Sequence, residues 1–154
     1  SKIKITKEIN LKELSDKMSE LGAKLILDTL KLVENKKVNF IEQNESEATY
    51  AKKIEKIETR INWKDDAGKI LAKINAFCPN PGCWFELDGI RMKIIKAKEI
   101  IIKGAPGTIL DEKLTIACFR NAIQIIELQK EGKQKMTTNE FLRGNKIKIG
   151  QSLN

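Results

Sequence analysis

The chain has 154 residues, 29 basic and 21 acidic side chains, a net charge of +8, and no histidine. Its length suits one ordinary domain, or a smaller domain with an appendage, and its charge favours anionic partners such as nucleic acid. The missing imidazole excludes every mechanism that needs histidine as a base, acid or metal ligand within this chain.

Residues 1–9, SKIKITKEI, alternate like a strand. Over residues 11–33, Leu11, Leu14, Met18, Leu21, Leu25 and Leu32 recur at helical spacing, and Asn10 with Glu13 reads as a capping box. This amphipathic helix needs a partner: a domain surface, or a second copy of itself. From Glu34 to Lys53 the sequence turns polar and reads as a linker.

After the short extended piece Arg60 to Trp63, Asp65 or Asp66 can cap a helix carrying Ala67, Ile70, Leu71, Ile74 and Phe77, with Lys69 and Lys73 on its other face. Cys78-Pro79 should end that helix, and Pro81-Gly82 then supplies a turn. Strands are expected at Trp84 to Leu87, Ile90 to Ile102, Thr108 to Leu110, Leu114 to Phe119 and Ala122 to Leu128. A last helix is expected from Thr137, stopped by Gly144.

These elements make an α+β chain, mainly β, whose strands suit a small, closed or nearly closed barrel of the oligonucleotide-binding type behind an amphipathic helix. Along the second strand the period-two placement of Arg91 and Lys93 slips before Lys96 and Lys98, at Ile94-Ile95. A bulge there would put all four cations on one face.

Catalytic groups are scarce. Asp65, Asp66, Asp111 and Glu112 flank turns or helix starts, where capping explains them, and no nucleophile stands beside a base. Gly104 to Thr108 lacks the lysine and following helix of a phosphate loop. Cys78, Cys83 and Cys118 lack the paired spacings of a zinc site, so no metal is expected and the thiols read as core residues. Neither a signal peptide nor a bilayer-length apolar run is legible, and the expectation is a cytoplasmic protein without membrane contact.

Basic side chains are better placed for chemistry. Lys69, Lys73, Arg91, Lys93, Lys96, Lys98, Lys133 and Lys135 are candidate phosphate contacts. Trp63, Phe77, Trp84 and Phe119 read as core, so a structured RNA held through its backbone fits better than a splayed single strand.

Several ordered segments resemble the C-terminal part of the methionyl-tRNA formyltransferase family: Met18 to Leu25, Ala48 to Ile54, Arg60 to Trp63, the turn Ala76 to Trp84, Pro106 to Leu110, and Gly132 to Met136 followed by Phe141-Leu142 and Gly144. The resemblance implies a two-domain enzyme of translation initiation. Its N-terminal half would bind 10-formyltetrahydrofolate and carry a catalytic Asn, His and Asp, and its C-terminal barrel would help hold initiator methionyl-tRNA. Residues 1–38 would then be the end of the catalytic domain with the start of the linker, and residues 39–154 the C-terminal domain. On that reading the fragment alone is inactive, contains no catalytic residue and no cofactor of its own, and partners the catalytic half. The family commonly has Arg where Asn75 stands and an aromatic where Asn80 stands. Other formyltransferases, of the sugar-nucleotide or formyltetrahydrofolate type, share the barrel without an RNA substrate, which leaves a purely structural module as the alternative.

Overall fold

Asn10, in extended backbone, accepts the Glu13 amide at 3.0 Å while the Glu13 carboxylate accepts the Asn10 amide at 3.3 Å. This capping box opens α1, Leu11–Glu34, in the computed structural model, which describes residues 1–153. No residue of α1 is buried, and Leu25, Ile26, Leu27, Leu30 and Val33 are all exposed. Residues 1–9 form no strand. They cross α2 (Ala67–Phe77), where the Asn75 side-chain amide donates to the Lys7 carbonyl at 2.8 Å. A strand needs a neighbour with free backbone groups, and a helix has spent its own.

The linker runs extended, with single 3₁₀ turns at Glu45–Glu47 and Lys56–Thr59, and exposes Phe40, Ile41 and Tyr50. Beyond it lie β1 (Cys83–Leu87), β2 (Ile90–Ile100), β3 (Thr115–Ala117), β4 (Ala122–Lys130), β5 (Lys135–Thr137) and α3 (Thr138–Gly144). Every ladder is antiparallel. The order is β1-β2-β4-β3, and β5 takes the stretch of β4 beyond β3.

Among the described residues no ladder joins β1 to β3 or β5, so the sheet is open where the sequence suggested a closed or nearly closed barrel. Thr108 to Leu110 makes no strand either, because Thr108 and Ile109 contribute isolated bridges to Ser152 and Ile116. The short strand β5 has no periodicity long enough to be legible.

Alternation along the strands and the helical period of α2 put Ile70, Ile74, Phe85, Leu87, Met92, Ile94, Ile116, Ile123, Ile125 and Leu128 into one core, joined by Trp63 and Phe141. Trp63 meets Phe85 edge to face, with centroids 5.7 Å apart. Each such side chain stabilises the fold by about 1.5–3 kcal/mol relative to exposure. Phe119, expected in the core, is 68% exposed, since it lies past the end of β3.

The register of β2 on β4 contains paired irregularities. Ile94 opposes Leu128, Lys96 opposes Glu127 and Ala97 opposes Ile125, so Ile95 on β2 and Ile126 on β4 are each skipped. Each skip reverses the alternation of its strand, and together they keep the two strands in register.

Candidate nucleic-acid interface

Helix α2 stops where Pro79 can offer no amide, and its last bond runs from the Cys78 amide to the Ile74 carbonyl. The Gly82 amide then returns to the Phe77 carbonyl at 2.9 Å and closes the turn. Gly82 has φ +81, and a Cβ on it would lie 2.0 Å from Lys93 Cε. The stem of Lys93 is therefore laid across the turn, with its ammonium 3.5 Å from Asn80 Oδ1. The Cys78 thiol donates to the carbonyl of Ile95, the skipped residue of β2, at 3.0 Å. Burial pushes the Cys78 pKa up, which keeps the thiol protonated and able to donate.

The bulge expected at Ile94-Ile95 is present, and it sorts the strand. Met92 and Ile94 point into the core, and after Ile95 is skipped Ala97 packs against the same core. Arg91, Lys93, Lys96 and Lys98 accordingly stand on the other side. Across the sheet, Trp84, Lys93, Gln129 and Lys135 oppose one another in succession and form one row on four strands.

Trp84 anchors one end of that row. It is 8% exposed, and its indole Nε1 donates to the Lys56 carbonyl at 3.2 Å. The Arg91 guanidinium lies 4.3 Å from the ring centroid and that of Arg60 5.4 Å. Arg60 also reaches Glu86 at 3.5 Å. Such contacts are worth roughly 0.5–1 kcal/mol where exposed, and they fix the plane of the guanidinium. Sequence reasoning missed Arg60. The bridge between Arg60 and Trp84 brings them together, and nothing local to residues 60–63 signals it.

The candidate cations fall into three settings. Arg91 and Lys93 line a cleft of about 220 Å³ between the Pro81 turn and the turn after β4, with Gln129, Lys130, Glu131 and Gly132. Lys133 lies in that second turn, where its carbonyl accepts the Gln129 side-chain amide at 2.8 Å. Lys96, Lys98 and Lys135 line a wider groove of about 780 Å³, shared with Lys7, Glu13, Glu99 and Glu127.

Lys69 and Lys73 are committed elsewhere. The Lys69 ammonium pairs with Asp65 at 2.8 Å, and that carboxylate raises its pKa. Lys73 donates to the Arg60 carbonyl at 2.9 Å, part-buried. The Asp66 side chain makes no capping bond at the start of α2; it pairs with Arg120, whose guanidinium lowers the Asp66 pKa.

The cysteines are buried thiols, and among the described residues no cluster of metal-ligating side chains occurs.

Residues 53–146 match the family described as formyl transferase, C-terminal domain. The chain belongs to that family. This C-terminal formyl transferase domain and the segment before it are similar to curated methionyl-tRNA formyltransferases. The relative from Bradyrhizobium diazoefficiens is 40% identical over 97% of this chain and 49% of its own length. One from Rhodopseudomonas palustris is 38% identical over 95% of this chain and 48% of its own length. The chain thus spans about half the length of these relatives. Among solved structures, HypX from Aquifex aeolicus is similar in fold. One HypX structure has a TM-score of 0.70 at 22% identity, covering 97% of this chain and 31% of that chain. Another has 0.62 at 26% identity, covering 79% and 23%. No helix among the described residues is long and apolar enough to cross a membrane.

Proposed function

We propose that this chain is the tRNA-holding portion of a methionyl-tRNA formyltransferase. In this reading residues 39–154 are the C-terminal domain, and residues 1–38 close the catalytic half, which takes the formyl group from 10-formyltetrahydrofolate. Arg91, Lys93, Lys96, Lys98, Lys133 and Lys135 neutralise phosphates of initiator methionyl-tRNA, whereas Lys69 and Lys73, engaged by Asp65 and the Arg60 carbonyl, contribute only their charge. The observation that carries this reading is the skipped Ile95, which leaves four cations of one strand on the side away from the core. The exposed leucines and isoleucines of α1 support its docking on the catalytic half, since an apolar face this large needs cover.

The engagement of Lys69 by Asp65 and of Lys73 by the Arg60 carbonyl favours a second reading, in which the domain only packs against its enzyme. Lys93→Glu with Lys96→Glu separates the two, in the chain joined to its catalytic half. A raised KM for tRNA at unchanged kcat supports RNA holding. An unchanged KM supports packing alone.

A further inference from the structure

Gln129 on β4 stands directly between Lys93 on β2 and Lys135 on β5. Its amide nitrogen is held by the Lys133 carbonyl at 2.8 Å, which fixes the plane of the amide and leaves its carbonyl oxygen as the acceptor end. Gln129 lines the cleft of about 220 Å³ together with Arg91 and Lys93. Its lining offers two cations, Arg91 and Lys93, and one amide, Gln129, to a phosphate and its adjoining sugar.

Neighbouring groups narrow what can enter. Trp84 is already covered by two guanidinium groups, so no ring is open beside the cleft for a base to stack on. The Arg91 guanidinium lies over Trp84, and the Lys93 stem occupies the space beside Gly82 that a side chain would fill, so both cations reach the cleft. Glu131 lines the same cleft, so an entering phosphate must sit against Arg91 and Lys93 rather than against that carboxylate.

We infer that this cleft is a ribose-phosphate subsite, in which Arg91 and Lys93 take one phosphate and the Gln129 side-chain carbonyl accepts a hydrogen bond from the ribose 2′-hydroxyl. The inference rests on the RNA-holding reading above and adds a means of telling RNA from DNA, since the 2′-hydroxyl is the group that differs. An A-form stem displays its 2′-hydroxyls along the wide minor groove, beside the phosphates that the cations would hold.

The test compares binding of the full chain to an RNA stem-loop and to the same stem-loop carrying 2′-fluoro groups, which keep the A-form and remove the hydroxyl donor. The wild-type chain should prefer the hydroxyl form, and Gln129→Leu should shrink that preference by about three- to tenfold, the worth of one hydrogen bond. Arg91→Gln should weaken both RNAs and leave their ratio unchanged. If both RNAs bind and the ratio is the same in wild type and Gln129→Leu, the subsite is overturned while RNA holding stands. If the wild type binds neither RNA at low salt, RNA holding fails and takes the subsite with it.

Discussion

Lys93 lies across Gly82, its Cε 2.0 Å from where a Cβ on that glycine would stand. The turn after α2 therefore leaves open, at a bare glycine, the space through which the stem of a cation on the neighbouring strand passes. The Cys78 thiol, bonded to the Ile95 carbonyl, ties the same turn to the bulge.

Gly82→Ala should disturb both. The φ of +81 opposes any side chain by about 1–2 kcal/mol, and the lysine stem must also move. Gly89 has φ +73 with nothing within 4 Å of a built Cβ, so Gly89→Ala carries the backbone cost alone. Urea denaturation should show the larger loss for Gly82→Ala, and that variant alone should weaken RNA binding. Equal effects of the two substitutions would separate Lys93 from the turn.

Burial raises the Cys83 thiol to about 11 and the Cys118 thiol to about 12, from an ordinary 9.0. The folded chain holds these protons more tightly than the unfolded chain does. Their contribution to stability is whole below pH 9 and is lost as pH rises toward 11 and 12. Denaturation midpoints should fall over that interval. At pH 8 the native thiols should resist alkylation until denaturant opens the core, and prompt labelling of all three would contradict their burial.

Thr137 starts α3 by accepting the Glu140 amide at 3.2 Å, while the Glu140 carboxylate takes the Thr137 amide at 2.7 Å and its hydroxyl at 2.7 Å. Thr137→Ala should cost about 1 kcal/mol at neutral pH. The two bonds from Thr137 hold the Glu140 pKa below 4.5, so this contribution is present above that value and is lost as pH falls through the lowered one. The penalty of Thr137→Ala, read from urea midpoints, should shrink in acid. A penalty independent of pH would assign it to something other than the capping box.

Local chemistry made much of this fold legible. Asn10 and Glu13 mark the start of α1, the prolines after Cys78 mark the end of α2, and the phase slip at Ile94-Ile95 marks the bulge. Relationships between distant segments were not legible. Residues 1–9 have the pattern of a strand and no strand to pair with, so they cross α2 as an extended segment. Lys69 and Lys73 look free on a helical wheel, yet Asp65 and the Arg60 carbonyl engage them. The row Trp84, Lys93, Gln129 and Lys135 depends on the register of three ladders, which no single segment encodes.

The most direct test is the binding of a structured tRNA to the chain across a salt series. If the cations of β2 and β5 hold RNA phosphates, log affinity falls linearly with log salt. Replacing Lys93 or Lys135 by glutamine should flatten that slope by about one unit or less for each contact removed. Absence of binding at low salt, or affinity indifferent to salt, would contradict the account.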